Sequence, residues 1–307
     1  MQIDRPWAEC RGLGRSFGLN RNEPIENYLS SDELIRHFAK LVAAGGGMTL
    51  NVGPAADGQI PLIQQERLLD LGKWLDINGE AIYASRPYQH FYEMKDVEVN
   101  RGDKNIDFDW KRNSPDPAIS YDHFTAEWQG TLTAEYPERY ILEMETDDAV
   151  EVLVNGQQVV KFDPKDKTSS KAGAFDFKAG QPYDIRVRFA EDNMEAVAIL
   201  RWKSLSQPEE VIPAKAFGRG LSAHYACQQP SICYTTKGDV LYAIALDYPQ
   251  DVLELNIPKP DHKLKVTMLG CDKILPYKYK NGKLTIDTTP LQYKDIKSTA
   301  AWVFKVE

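Results

Sequence analysis

Residues 45–54 read Gly45-Gly46-Gly47-Met48-Thr49-Leu50-Asn51-Val52-Gly53-Pro54, and the uncharged run from Met48 to Val52 predicts a strand bounded by chain breakers on both sides. A strand this short and uncharged is expected to be covered on both faces, as parallel strands are. Upstream, Ser30 and Glu33 form a capping box, and Leu34, Ile35, Phe38, Leu41 and Val42 fall on one face of the helix it opens. The glycine run stops that helix. Downstream, the Asp57-Gly58 turn is followed by Pro61 in the first turn of a second helix, which carries Leu68, Leu69, Leu71 and Leu75 and ends at Asn78-Gly79. Residues 1–88 thus predict helix, buried strand, loop, helix. One parallel strand has two edges and two faces that need neighbours, so partner strands are expected upstream, outside this chain.

Beyond residue 88 the rhythm changes to period two. Tyr140 to Met144, Val150 to Val154 and Tyr183 to Phe189 alternate or nearly so, separated by turns at Asn155-Gly156 and Ala179-Gly180. This predicts an antiparallel β domain. From residue 219 the β rhythm repeats in Val240 to Leu246, Lys263 to Leu269 and Ala301 to Phe304, with a turn at Asn281-Gly282. That segment is long enough for a small sandwich.

Composition sets the outer limits. The 307 residues hold 37 Lys and Arg against 45 Asp and Glu, a formal charge of -8, which argues against nucleic acid as the partner. No apolar run reaches the roughly 18 residues a membrane helix needs. Met1 to Trp7 has neither the basic start nor the apolar stretch of a secretory signal, so the protein is expected to be cytoplasmic or to have its true beginning elsewhere. Cys10, Cys227, Cys233 and Cys271 are too scattered for a disulfide framework and form no CxxC pair; they read as free thiols. His37, His90, His123, His224 and His262 show no zinc-ligand spacing.

Several ordered blocks match a known family. Trp7-Ala8-Glu9-Cys10, Ser16-Phe17-Gly18-Leu19-Asn20, Ser31-Asp32-Glu33-Leu34-Ile35, the stretch 45–54, Asp57-Gly58-Gln59-Ile60-Pro61 and Asn78-Gly79-Glu80-Ala81-Ile82-Tyr83 resemble the C-terminal part of the catalytic domain of the α-L-fucosidases of glycoside hydrolase family 29. Thr236 to Ile244 and Ala301 to Phe304 resemble that family's C-terminal β-sandwich. Between them, Phe124 to Gly130, Thr146-Asp147-Asp148, Val154-Asn155-Gly156, Gly180 to Tyr183, Leu200-Arg201-Trp202 and Glu210 to Pro213 are similar to the β domain named after anthrax protective antigen. The resemblance implies a multidomain α+β chain: the C-terminal end of a (β/α)8 barrel over residues 1–88, a protective antigen-type sandwich over 104–217, and a fucosidase sandwich over 219–307.

It also implies which groups the chain holds. Retaining hydrolysis uses two carboxyl groups about 5 to 5.5 Å apart. By the resemblance the nucleophilic Asp lies on an earlier barrel strand and the acid/base of many members lies upstream, as do the sugar-binding histidines. Glu9 is the carboxylate nearest the matched blocks, but the family order is Trp-Glu-x-Cys and Ala8 stands where Glu is expected. In an extended strand a shift of one residue turns the side chain to the opposite face. Glu9 is therefore a candidate catalytic acid or, alternatively, a structural partner of Arg11. Phe17 matches an aromatic position that helps form the apolar pocket for the C6 methyl of fucose, or it is barrel packing. Asn51, at the C-terminal end of its strand, is a candidate substrate contact or a clamp on loop backbone. Asp147 and Asp148 correspond to a paired Asp that binds calcium and sugar in lectin-like relatives, although Ala149 replaces a frequent glycine; solvated turn acids are the alternative.

These readings converge on the C-terminal portion of a retaining α-L-fucosidase acting on terminal α-L-fucosyl linkages of glycans, inactive by itself. The expected partners are fucosylated glycans and the missing N-terminal part of the barrel, with no nucleic acid and no membrane insertion. No cofactor is implied apart from calcium in the middle domain. The parent enzyme is expected in the periplasm or outside the cell. The competing class is a non-catalytic carbohydrate-binding or spacer protein acting through the middle β domain.

Overall fold

A computed structural model describes residues 5–307, so the signal-sequence reading of Met1 to Asp4 lies outside the described residues. The chain forms two compact units, residues 1–94 with 230–307 and residues 95–229.

In the first unit β1 (Trp7–Gly12) and β2 (Gly46–Asn51) pair in parallel, from Trp7 opposite Gly46 to Gly12 opposite Asn51. Among the described residues neither strand pairs with a third. Between them runs α1 (Ser31–Ala43), with the capping box in place: Glu33 N–H donates to Ser30 Oγ at 3.2 Å and Ser30 N–H to Glu33 Oε2 at 2.8 Å. Such a cap contributes about 1 kcal/mol. Burial outweighs it: Leu34 and Ile35 are enclosed, each contributing about 1.5 to 3 kcal/mol. Helix α2 (Leu62–Asn78) begins directly after Pro61, and β3 (Arg86–Asp103) follows it.

The second unit is a sandwich of two antiparallel sheets. Its strands are β4 (Asp107–Lys111), β5 (Phe124–Thr133), β6 (Arg139–Glu145), β7 (Ala149–Val154), β8 (Gln157–Phe162), β9 (Ala172–Asp176), β10 (Pro182–Ala190), β11 (Ala196–Lys203) and β12 (Glu210–Val211). They are joined by the first half of β13 (Leu221–Lys237). One sheet runs β13, β5, β10, β7, β8; the other runs β12, β11, β6, β9 with β4 beside β11. Period two explains the core: Tyr183, Ile185, Val187 and Phe189 of β10 point inward, while Asp184, Arg186 and Arg188 point outward. The β7–β8 hairpin turns on Asn155 and Gly156, both at positive φ, 48° and 76°, as a two-residue hairpin matched to strand twist requires. Deep in this unit the Asp103 carboxylate accepts from Trp128 Nε1 at 2.9 Å, Tyr225 Oη at 2.6 Å and Arg101 Nε at 2.9 Å, which leaves a buried charge satisfied.

The chain then returns to the first unit through β14 (Val240–Ala245), β15 (Val252–Leu255), β16 (Val266–Met268), β17 (Tyr277–Lys280), β18 (Lys283–Asp287) and β19 (Trp302–Val306). The second half of β13 pairs with β14, which continues to β19 and β16, and β15, β18 and β17 form a second sheet. Tyr234, Leu255, Val266, Leu284 and Phe304 fill the space between the sheets. On the outer face of the first sheet, Cys233, Tyr242, Ile244 and Val303 pack with Ile35, Ala39 and Trp74 of the two helices. With both faces covered, Leu241 to Ala245 is buried without alternation. The architecture is multidomain, as the sequence reading expects, and mostly β.

Candidate functional site

The C-terminal ends of β1 and β2 hold two of the residues singled out above. Phe17, in the loop after β1, is 67% exposed. Its neighbour Gly18 donates its N–H to Asn51 Oδ1 at 3.1 Å, so the last residue of β2 holds the Phe17 loop. Gly53 completes the clamp. Its N–H donates to the buried Gln64 Oε1 at 2.9 Å, and a Cβ at that position would lie 2.3 Å from both Gly18 C and Leu19 N. Only a residue without a side chain lets the loop sit this close. Phe17 and Asn51 are thus brought to one place, at the end of a parallel pair where α/β proteins present functional groups.

Glu9 is placed differently. It lies mid-strand on β1 opposite Met48, and its Oε2 accepts from His37 Nε2 on α1 at 2.5 Å while Arg11 Nη1 stands 3.6 Å from Oε1. Burial, opposed by Glu9, holds the His37 imidazole below its ordinary pKa. Glu9 therefore shares the helix side of β1, whereas Ala8 and Cys10, one position to either side, are exposed. Its partners are His37 and Arg11 rather than the loop at residues 16–19.

In the second unit Asp147 is exposed and Asp148 is buried. Asp148 Oδ1 accepts from Asp192 N–H at 3.2 Å, while Oδ2 is enclosed without a partner. Burial first, then the charges of Asp147 and Asp192, push its carboxyl up to about 6. Glu191 is buried beside it, accepts His123 N–H on Oε2 at 2.7 Å and leaves Oε1 unpartnered. Burial, reinforced by Asp148, Asp122 and Asp192, pushes Glu191 up to about 7. Calcium takes roughly six to eight oxygen ligands. Asp147 and Asp148 do not supply such a set: Asp147 is exposed, Asp148 has one oxygen on Asp192 N–H and one left over, and among the described residues no group of three or more His, Cys, Asp or Glu is arranged to hold a metal.

His37, Gln64 and Glu191 were not singled out from the sequence. For Glu191 a signal existed, because the inward phase of β10 continues through Tyr183, Ile185, Val187 and Phe189 to residue 191. His37 and Gln64 act through contacts with distant strands and loops and carry no local signature.

The fold and these sites define a multidomain, mostly β protein in which a parallel βα fragment shares a core with one sandwich and a second sandwich forms its own unit. Comparison with known families gives it a place: residues 1–80 match the Alpha-L-fucosidase family, 86–216 the PA14 domain and 227–307 the Alpha-L-fucosidase C-terminal domain. The chain carries the domains of the α-L-fucosidase family with a PA14 domain between them. It is 36% identical over 110 residues to the alpha-L-fucosidase of Branchiostoma floridae, a match covering 34% of this chain and 24% of that protein. It is 45% identical over 95 residues to the tissue alpha-L-fucosidase of Bos taurus, covering 31% and 20%. The matched region is thus about a fifth to a quarter of the length of these relatives. The crystal structure of Thermotoga maritima alpha-fucosidase in complex with a mechanism-based inhibitor shares the fold, with TM-score 0.50 at 18% identity over 100% of this chain and 40% of that one. No helix of the described residues is long and apolar enough to cross a membrane.

Proposed function

We propose that these 307 residues are the C-terminal portion of a retaining α-L-fucosidase that hydrolyses terminal α-L-fucosyl linkages of glycans. In this reading residues 1–88 end a (β/α)8 barrel, 104–217 are the PA14-type sandwich and 219–307 the C-terminal sandwich. The observation that carries it is the parallel pair β1–β2: two strands with helices on one side are marginal as a sheet, and parallel strands belong to larger sheets covered on both faces. Family matches on both flanks and coverage of only a fifth to a quarter of the relatives support the same conclusion.

Within that enzyme Phe17 supplies an apolar face for the C6 methyl of fucose, which offers only dispersion and desolvation to a binding site. Asn51 positions Phe17 by holding Gly18. The pairing of Glu9 with His37 and Arg11 supports its structural reading over its use as the acid. The reacting carboxyl pair is assigned to the upstream barrel strands, so this portion alone is inactive, and the parent enzyme works in the periplasm or outside the cell. An assay with an aryl α-L-fucoside tests the assignment. The 307 residues are expected to give no turnover, and a longer chain carrying the preceding βα units to give it. Clear turnover by the 307 residues that vanishes in Glu9→Gln overturns it.

A further inference from the structure

The outward face of the second unit's larger sheet carries an ordered row of charges. Arg188 of β10 lies directly opposite Glu127 of β5 on one side and Glu151 of β7 on the other. Its Nε donates to Glu127 Oε2 at 2.8 Å and its Nη1 to Glu151 Oε2 at 3.2 Å. Gln129 Nε2 donates to the second Glu127 oxygen, with Arg186 Nε 3.8 Å away. A lone exposed ion pair holds little order, but a planar guanidinium clamped from both sides has less freedom to lose on further bonding. Arg188 uses two of its N–H groups in the clamp and keeps the others for a ligand.

The next outward positions along these strands are Thr125, Ala190 and Ala149, again direct cross-strand neighbours. Short side chains beside tall ones make a trench. A cavity of about 520 Å³ lies there, lined by both rows. Three strands spaced about 4.8 Å apart give it a floor about 10 Å across, the scale of one or two sugar rings. The lining sets Glu127, Glu151 and Asp163 against Arg188 and Lys161, a balance within one charge, and also holds His224. So small an imbalance gives little steering of an ionic polymer. Alternating donors and acceptors suit hydroxyl groups, which both give and accept hydrogen bonds.

We infer that this trench binds the neutral end of a glycan, a mono- or disaccharide, through Arg188, Glu127 and Glu151 over the Thr125, Ala190 and Ala149 floor. The inference deepens the reading of the chain as part of a glycan-processing enzyme and uses residues other than Asp147 and Asp148. Isothermal titration of the full 307-residue chain with 2′-fucosyllactose and with lactose tests it. Binding is expected to weaken roughly tenfold or more in Arg188→Ala, as loss of a charge-assisted hydrogen bond predicts. Ala190→Leu, which fills the floor from the solvent side, is expected to weaken it similarly, with a thermal melt showing that both variants fold. Excess EDTA should change nothing. No binding by the unmodified chain up to the solubility of the sugars, affinity unchanged in Arg188→Ala, or binding that requires calcium overturns the inference. The two readings fail separately: fucoside turnover by the longer enzyme without binding here removes the trench alone, and binding here without turnover removes the enzyme alone.

Discussion

Trp74 on α2 donates its indole N–H to the carbonyl oxygen of Ala301 at 2.9 Å, across 227 residues of sequence. Arg36 Nε donates to Ala300 O at 3.0 Å and Asn78 Nδ2 to Ser298 Oγ at 2.9 Å, so three polar side chains from the N-terminal segment hold the chain just before β19. Together with the shared apolar core, these bonds make the βα fragment and the C-terminal sandwich one packed unit.

Replacing Trp74 by Phe keeps most of the ring burial and removes one of the two donors to the Ala301 carbonyl, which keeps Ser298 Oγ at 2.8 Å. The expected cost is about 0.5 to 1.5 kcal/mol, the net contribution of one hydrogen bond. Trp74→Ala adds a cavity and should cost about 3 to 5 kcal/mol. Urea unfolding followed by far-UV circular dichroism measures both, and the helical and β signals should fall together. Loss of helix signal well before β signal contradicts a common core.

The Asp148 and Glu191 carboxyls set a pH dependence. Their folded values stand at about 6 and about 7, whereas unfolded carboxyls titrate near 4. Between about pH 4 and 7 the folded state therefore holds more protons than the unfolded one, and stability contributed by these groups is lost as pH rises through that window. Urea midpoints should fall from pH 5 to pH 8. The slope should flatten in Asp148→Asn and in Glu191→Gln; an unchanged slope in both shows that other groups titrate.

Gly53→Ala places a methyl group against Gly18 and Leu19 backbone, which cannot give way as a side-chain tip could. The loop must move or the strand end distort, at an expected cost of about 1 to 3 kcal/mol. Limited trypsin digestion should then cut faster at Arg15 or Arg21, on either side of Phe17. Cleavage at the unmodified rate shows that the clamp does not order this loop.

Glu9→Gln separates the two readings of that carboxylate. As a partner of His37 and Arg11 it should lower stability by about 1 kcal/mol, the scale of a part-exposed hydrogen-bonded pair. In the longer enzyme, kcat with an aryl fucoside carrying a poor leaving group should stay within about tenfold. A loss near the 100-fold or more of a removed general acid restores Glu9 to the reaction.

Much of the fold was legible locally. Ser30 and Glu33 announce α1 because the cap closes within four residues, and the odd-numbered apolar positions of β10 announce its inward face because a strand's side chains alternate. The same alternation places Asp148 and Glu191 in the buried phase; the Asp147-Asp148 motif singles out the first of these, and Glu191 has no motif to mark it. The run Val240 to Leu246 reads as one more strand of the β rhythm, and only packing shows that both of its faces are covered.

Periodicity, capping and turn chemistry act over a few residues, and the amino-acid order alone determined α1, α2, the strand after the glycine run, the alternating strands with their Asn-Gly turns and the family blocks that name their relatives, but not β1, whose strand state follows from its pairing with β2. Which side of β1 Glu9 occupies, that His37 meets it, that Asn51 spends its carbonyl on Gly18, and that Arg188 is gripped by two glutamates were decided only in three dimensions. Each joins elements far apart in the chain, and such a contact exists only once packing has fixed strand register and helix placement.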